Sequence, residues 1–326
     1  MKKYDVIGIG AALLDFIIEV DDDMLDEMDL NKGEMHLIEE EKSKEILKKL
    51  ENYGIKIAPG GSSANTLAGV NVLGGNAVFL GKIGKDKYGD IYEQKTADAG
   101  VNSRLSRHDA AITGHAITFI TPDAERTFAT HLGASVHFRK EDIFEEEVKA
   151  SKILHIEGYQ LEDPETRKAS SYAMEIAKEN NVKVSIDLSD PGIIERNLED
   201  LKKLVKEYAD IIFVNEKEAD AFTGKKEEEA LHEIYEMCEI AIVKLGGKGS
   251  LIKAGDMIYR IPSYKTNVVN TNGAGDMYAA GILYGIANGI EMEKAGKMAS
   301  YAASKVVSSV KARLEKMDLD NVEKKI

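Results

Sequence analysis

The sequence is poor in cysteine, in positive charge and in long apolar runs. Its single cysteine, Cys238, cannot form a disulfide within the chain, and the surrounding EIYEMCEI has no metal-ligand spacing. We therefore expect an inert, buried thiol and a reducing, cytoplasmic compartment. The net charge of −14 predicts no nucleic-acid partner, because a polyanion is bound by a basic surface. Acidic residues interrupt the apolar N-terminal stretch, so we expect neither a signal peptide nor a membrane span.

Several catalytic motifs are also missing. The chain has no G-x-x-x-x-G-K-[ST] phosphate loop, and GIGAAL places Leu13 where a dinucleotide-binding fingerprint requires its third glycine. The seven histidines have no H-E-x-x-H spacing, and there is no G-x-S-x-G elbow. These absences argue against dehydrogenase, zinc-dependent and serine hydrolase chemistry.

The patterns that are present predict one globular α/β domain over residues 1–326. Hydrophobic residues make up 43% of the chain and charged residues 31%. Short apolar runs such as YDVIGIG, KILHIEG, DIIFVN and IAIVKLG alternate with helical patterns, which indicates a mainly parallel central sheet with helices on both faces. Two segments, at about 13–38 and 111–132, look like hairpins, and we expect them to form a small β-sheet lid.

The stretch NTNGAGDMYAAGILYG, residues 270–285, places glycines and an acid at the start of a predicted helix. Uncovered backbone N–H groups and the helix dipole favour an anion there. The same field favours the ionised form of Asp276, which could then take a proton from a hydroxyl that attacks a phosphoryl group. An ordinary glycine turn with an acidic helix start is the alternative interpretation.

A second glycine turn lies in APGGSSANTLAGVNVLGG. Gly60 and Gly61 would let a substrate approach the backbone, and the Asn65 amide can both donate to and accept from sugar hydroxyls. A tight turn capped by Ser62 or Ser63 is the plainer alternative.

These two sites belong to a longer ordered series of motifs. GIGAALLD, GGSSANT, TPDAERTFATHLGA, HIEGYQ, LSDP, FVNEKEA, NTNGAGD and SYAASKVV span nearly the whole chain. Together they resemble the ribokinase-like, or PfkB, carbohydrate kinase family, and most closely its adenosine kinase branch. The resemblance implies a ribokinase-like fold and transfer of a phosphoryl group from ATP with Mg²⁺.

The resemblance also implies roles for the residues that handle the acceptor and the phosphoryl group. Asp276 would be the base, and Asp15 would bind two vicinal ribose hydroxyls beside Gly60, Gly61 and Asn65. Arg126 on the lid would close over the phosphates. The anion hole would be formed by Asn272, Gly273, Ala274 and Gly275.

Another set would bind the nucleotide and its metal. Asn215 and Glu218, in NEKE, resemble the N-x-x-E motif that organises Mg²⁺, largely through water. The other implied nucleotide-binding residues are Lys244, where the family usually has threonine, and Gly246, Gly249, Gly273, Gly275 and Ser300.

Two departures bear on specificity. Asn270 replaces the aspartate that usually opens the anion-hole motif, which makes a K⁺ site doubtful. Ala11 replaces an asparagine near the nucleoside base in adenosine kinases. We expect a kinase for the 5′-hydroxyl of adenosine or a related nucleoside, acting as a monomer or homodimer. The alternatives are a ribose or fructose kinase, a pyridoxal or hydroxymethylpyrimidine kinase, and a nucleotide-binding regulator without turnover.

Overall fold

The computed structural model describes residues 2–51, 53–123 and 125–318, so both ends of the predicted 1–326 domain and position 124 of the predicted 111–132 lid segment lie outside it. The strands are β1 (Tyr4–Ile9), β2 (Leu14–Glu19), β3 (Met35–Leu37), β4 (Lys56–Pro59), β5 (Ala77–Gly84), β6 (Asn102–His108), β7 (His115–Ile120), β8 (Arg126–His131), β9 (Ser151–Glu157), β10 (Lys183–Asp187), β11 (Ile211–Asn215), β12 (Ile240–Lys244), β13 (Ser250–Ala254) and β14 (Met257–Ile261). The helices are α1 (Asp22–Glu27), α2 (Glu40–Lys49), α3 (Ser62–Val72), α4 (Lys87–Asp98), α5 (Glu145–Lys149), α6 (Pro164–Glu179), α7 (Pro191–Tyr208), α8 (Glu216–Thr223), α9 (Glu227–Tyr235), α10 (Ala274–Ala287) and α11 (Met292–Val307).

The larger sheet has the strand order β14-β13-β12-β11-β10-β9-β1-β5-β6. Its strands from β12 to β6 are parallel, and only β13 and β14 run antiparallel at one edge. Neighbouring residues of one strand enter opposite cores: Val6 belongs to the core that includes α3, α10 and α11, whereas Ile7 belongs to the core that includes α6 to α9. The predicted ribokinase-like α/β architecture, a mainly parallel sheet with helices on both faces, is thus confirmed.

The smaller sheet has the order β3-β8-β7-β2-β4 and contains both predicted lid segments. Only one of them forms a hairpin, the antiparallel pair β7 and β8. In the other segment, β2 pairs in parallel with β7 and β3 in parallel with β8, so the predicted pairing of the 13–38 segment with itself is wrong. The sheet also includes β4, which the sequence analysis did not predict, because KIAP is too short to show an alternating pattern.

The pattern EMEKAGKMASYAASKVVSSVKARLEKM, residues 291–317, predicts one long C-terminal helix or two. Helix α11 ends at Val307, and residues 308–318 continue without regular secondary structure. This stretch returns to the N-terminal end of α10, where Val269 and Asn270 donate backbone N–H bonds to the Val307 carbonyl. Among the described helices, none has both the length and the apolar character needed to cross a bilayer.

Candidate active site

The polar residues of the larger sheet collect at the carboxyl ends of its parallel strands. Glu157, Asp187, Asn215 and Lys244 are the last residues of the adjacent strands β9, β10, β11 and β12. Ligands bind at this edge in open α/β sheets, because the strand-to-helix turns meet there. The start of α10 faces the same cluster, since a Cβ at Gly275 would lie 3.5 Å from the Lys244 Nζ.

Asp276 lies in the first turn of α10, as predicted, and is held from α3. Ser62 Oγ donates to its Oδ1 and Asn65 Nδ2 donates to its Oδ2, both at 2.8 Å. Burial raises the pKa of Asp276, and these two hydrogen bonds lower it only in part. From the sequence we considered only the helix field, which favours the ionised form; desolvation of the buried carboxylate raises the pKa by more than the hydrogen bonds from Asn65 and Ser62 lower it. A raised pKa makes the carboxylate a stronger base.

The predicted anion hole has fewer free backbone N–H groups than the sequence indicated. Gly273 caps α10 in the left-handed region, with φ of 77°, which glycine adopts without strain. The Asn272 N–H donates to Asn270 Oδ1 at 3.0 Å and the Ala274 N–H to the Thr271 carbonyl at 3.2 Å, so neither is free for an anion. Among the described residues, the N–H groups of Gly273, Gly275 and Asp276 have no such partner.

The predicted acceptor-binding residues lie beside Asp276. A Cβ at Gly60 would come within 2.5 Å of Asp15 Oδ1, so the Asp15 carboxylate lies directly against the glycine turn. Burial raises the pKa of Asp15 to about 6, Arg313 lowers it and the nearby Asp276 raises it further. The N-cap residue of α3 is Gly61, at φ of 92°, and no side chain caps this helix. The alternative interpretation, a turn capped by Ser62 or Ser63, was therefore wrong.

Two residues near Asp276 were not singled out from the sequence, and neither was Asp187, which binds Lys244. Glu157, only 1% exposed, accepts from the Ala11 N–H at 2.8 Å and the Ser63 N–H at 2.6 Å, which joins the end of β1 to α3. Arg313 donates from Nε to Asn65 Oδ1 and from Nη2 to the Gly60 carbonyl at 2.8 Å. An acid at the end of the apolar run KILHIE could have indicated Glu157. No pattern near Arg313 indicated that residue.

Lys244 and Glu218 form a buried charged cluster with Asp187. Lys244 Nζ lies 2.7 Å from Asp187 Oδ2. Burial alone would lower the pKa of Lys244, but the Asp187 and Glu218 carboxylates raise it. Glu218, 2% exposed, has a pKa raised to about 7 by burial, which Lys244 opposes and Asp187 and Asp190 reinforce.

The predicted metal residues are joined in a capping box at the start of α8. Asn215 Oδ1 accepts from the N–H groups of Lys217 and Glu218, while both Glu218 carboxylate oxygens accept from Asn215. Within the described ranges, no three acidic, His or Cys side chains are placed to hold a metal directly. The Glu218 and Asp187 carboxylates can each accept further hydrogen bonds from water. These residues therefore fit a Mg²⁺ ion that is held through water.

Three of the predicted nucleotide-binding residues are not part of the charged cluster of Lys244, Asp187 and Glu218. Ser300 is buried in α11 and donates to the Pro262 carbonyl at 2.7 Å. Gly246 and Gly249 form the turn between β12 and β13, and a Cβ at Gly246 would meet open space.

The side chain of the predicted lid arginine has no contact with Asp276 in this conformation. Arg126 begins β8 and pairs with Ile120 in the smaller sheet, and its side chain makes no hydrogen bond or ion pair with another described residue. Closure of the lid would have to bring it over the phosphates.

Asn270 ties the anion-hole loop to the C-terminal stretch. Its Oδ1 accepts from the Asn272 N–H, and its Nδ2 donates to the Val310 carbonyl at 3.1 Å. Both ends of this neutral amide are therefore bonded to the protein chain. Ala11, at the nucleoside-base position that the resemblance implied, is 6% exposed.

Comparisons with known proteins agree with this geometry. A 5-dehydro-2-deoxygluconokinase of Listeria monocytogenes is 30% identical over 320 residues, covering 94% of this chain and 91% of the relative. A structure of adenosine kinase from Sinorhizobium meliloti is 33% identical with a TM-score of 0.86, covering 96% of each chain. A probable sugar kinase from Rhizobium etli is 32% identical with a TM-score of 0.88, covering 99% of this chain and 98% of that one.

The family model for pfkB family carbohydrate kinases matches residues 33–318, which include the acceptor turn, the charged cluster and the start of α10. The fold, the acid at the start of α10 and this match lead to the same conclusion: the chain belongs to the PfkB family of carbohydrate kinases.

Proposed function

We propose that this kinase transfers the terminal phosphoryl group of ATP to the 5′-hydroxyl of adenosine or a closely related nucleoside. One observation carries the proposal: Asn65 donates to Asp276, the Asp15 carboxylate lies against the Gly60 backbone, and the two carboxylates are near enough to interact. We call these four residues the proposed acceptor pocket. A carboxylate suits two vicinal ribose hydroxyls because it accepts two hydrogen bonds at once. A second carboxylate beside a bare helix start suits deprotonation of the primary hydroxyl.

In this proposal Asp276 takes the proton as the 5′-oxygen bonds to the terminal phosphorus. The bond from that phosphorus to the ADP oxygen breaks, and ADP leaves with the bonding pair. The N–H groups of Gly273 and Gly275 face the charge on the transferred group. Lys244, adjacent to Gly275, adds a fixed positive charge on the same side.

The metal and the lid have supporting roles. Asn215 and Glu218 would hold Mg²⁺ through water, and the ion would neutralise charge on the nucleotide phosphates. Arg126 would approach the phosphates when the lid closes and water is excluded. Potassium is not part of the proposal, because the neutral Asn270 amide bonds to Asn272 and Val310.

A second candidate acceptor is a sugar acid. The relatives at 30% identity are named as 5-dehydro-2-deoxygluconokinases, and the Arg313 guanidinium lies beside Asn65 and Gly60. A buried cation at the acceptor pocket could pair with a substrate carboxylate. The buried alanine at position 11 also removes one group expected to contact a purine.

A substrate panel separates these candidates. ADP release would be measured with Mg²⁺-ATP and adenosine, ribose, fructose, pyridoxal or 5-dehydro-2-deoxygluconate. The proposal predicts the highest kcat/KM with adenosine or another nucleoside. A higher value with the sugar acid would replace the nucleoside assignment, and ATP binding without turnover on any acceptor would indicate a regulator.

A pair of substitutions on β2 tests the acceptor pocket. Asp15→Ala should raise the acceptor KM by about 10²-fold, because hydrogen bonds to a charged group contribute roughly 1.5–3 kcal/mol each. The KM for ATP should stay within about threefold. Glu19→Ala is the matched control, since Glu19 ends the same strand with its side chain exposed. Unchanged acceptor affinity in Asp15→Ala would remove Asp15 from the proposal.

A further inference from the structure

The C-terminal stretch after α11 carries an arginine into the acceptor pocket. Asn270 Nδ2 holds the Val310 carbonyl at 3.1 Å, and a Cβ at Gly273 would meet the Ala312 carbonyl oxygen at 2.1 Å. The stretch therefore passes directly over the helix start that faces the phosphoryl group. The next residue, Arg313, points inward while Lys311 pairs with the exposed Glu315.

The Arg313 guanidinium is fixed by two separate acceptors. Its Nε donates to Asn65 Oδ1, and its Nη2 donates to the Gly60 carbonyl. Burial lowers the pKa of Arg313, which the nearby Tyr92, Asp15 and Asp276 oppose. A planar guanidinium makes both bonds from two nitrogens in one rigid orientation, whereas an ammonium group has a single nitrogen.

Asn65 uses the two ends of its amide on opposite partners. Its oxygen accepts from Arg313, and its nitrogen donates to Asp276 Oδ2 at 2.8 Å. An amide whose oxygen is held by a cation cannot rotate to present that oxygen to the carboxylate. Hydrogen bonds in such a chain also polarise one another, so the Asn65 N–H becomes a stronger donor.

We propose that Arg313 is a positioning residue for phosphoryl transfer: by holding the oxygen of Asn65, it directs the amide nitrogen onto Asp276 and stabilises the ionised base. The inference rests on the proposed role of Asp276. Arg313 acts through Asn65 in this account, and its own charge is the smaller contribution.

Other charges around Asp276 must be held constant in any test. Those that interact with it from the neighbouring elements are Asp15 on β2, Glu157 on β9, Asp187 on β10, Lys244 on β12 and Arg313 itself. Substitutions at Arg313 leave the other four side chains in place, but loss of the guanidinium also raises the pKa of Asp15, so the Asp15 signal is followed in the same titration.

The direct test is a ¹³C-carboxyl NMR titration of Asp276, which needs no acceptor. The Asp276 signal is identified by its loss in Asp276→Asn. Arg313→Met and Arg313→Lys should each move the titration midpoint up by about one pH unit, a tenfold change in the ionisation constant. Lys311→Met, an exposed position in the same stretch, should leave the midpoint unchanged.

Arg313→Lys separates geometry from charge and guards against a folding defect in Arg313→Met. Lysine keeps the positive charge and most of the stem, but its single nitrogen cannot occupy the positions of both Nε and Nη2. A wild-type midpoint in Arg313→Lys would show that charge alone matters and would overturn the proposal. An unchanged midpoint in Arg313→Met would do the same.

A double-mutant cycle provides the kinetic test, with whichever panel acceptor gives the highest turnover. Arg313→Met should lower kcat about tenfold in the wild-type background and less than twofold in an Asn65→Ala background. It should also move the acid limb of kcat/KM to higher pH. Equal losses in both backgrounds would mean that Arg313 does not act through Asn65. Absence of turnover on every acceptor would count against the proposed function, while the NMR titration would still decide the role of Arg313.

Discussion

The Lys244 Nζ lies 2.7 Å from Asp187 Oδ2, at the ends of strands that flank β11 in the larger sheet. The Lys244 side chain is 15% exposed and that of Asp187 is 7% exposed, so neither charge is left to water. The pair places an ammonium group beside Gly275, at the start of α10, the helix that carries Asp276.

Lys244→Met should therefore affect both stability and turnover. Removing one partner of a buried ion pair costs about 3–5 kcal/mol, because the other charge stays buried. The free energy of unfolding, measured in urea, should fall by about this amount, and kcat should fall at least tenfold.

Lys82→Met supplies the matched control. Lys82 and Asp142 form an ion pair of the same 2.7 Å length, with side chains 13% and 10% exposed, outside the charged cluster. The control should lose comparable stability and keep kcat within about twofold. Equal kcat in the two variants would remove Lys244 from the account of phosphoryl transfer.

Glu157 should make folding stability depend on pH. Burial raises its pKa to about 7 from an ordinary value of 4.5, so the native state holds a proton that the unfolded chain releases in this interval. Stability is therefore highest below about pH 4.5 with respect to this group and falls as pH rises towards 7.

The comparison with Glu157→Gln isolates this dependence, because the glutamine does not titrate and the other groups are unchanged. Between pH 4.5 and pH 8, the wild type should lose about 3 kcal/mol of unfolding free energy relative to the variant. Urea denaturation at the two pH values measures the difference. A constant difference, or one of opposite sign, would mean that Glu157 is not held in this environment.

Gly273 should tolerate no side chain. Alanine there must adopt φ of 77°, and its Cβ would overlap the Ala312 carbonyl oxygen. Gly273→Ala should displace the C-terminal stretch and lower kcat by about 10²-fold or more, because the anion hole and Arg313 both depend on this contact.

Gly289→Ala separates backbone strain from overlap. Gly289 has φ of 67° after α10, but a Cβ there would meet nothing within 4 Å. This variant should cost about 1 kcal/mol in unfolding free energy and keep its turnover. Similar kinetics for the two variants would show that the contact between Gly273 and Ala312 has no catalytic consequence.

The sequence predicted the features that depend on residues close together in the chain. Buried apolar runs gave the parallel strands, and the glycine turns around Gly61 and Gly273 marked the starts of α3 and α10. Asp276 could be singled out because an acid in the first turn of a helix lies beside the free N–H groups that favour an anion.

Features that depend on distant contacts were missed. Arg313 lies within a sequence pattern that predicts helix. It reaches Asn65, 248 positions away, only because residues 308–313 return across α10. The parallel pairing of β2 with β7 likewise joins segments about a hundred residues apart. The raised pKa of Asp276 depends on burial by several helices and strands, so it could not be predicted from one sequence motif.

The central claim is that Asp276 removes the proton from the acceptor hydroxyl. Asparagine can replace it with little disturbance, because its oxygen can face Asn65 and its nitrogen can donate to Ser62 Oγ, which accepts as well as donates. Asp163→Asn, which keeps a good N-cap at the start of α6, is the matched control.

The most direct measurement is kcat for Asp276→Asn with the best acceptor, together with the affinity for Mg²⁺-ATP by calorimetry. The account predicts a loss of roughly 10²- to 10⁴-fold in kcat with ATP affinity within about threefold, and wild-type values for Asp163→Asn. Turnover within tenfold of wild type in Asp276→Asn would contradict the account.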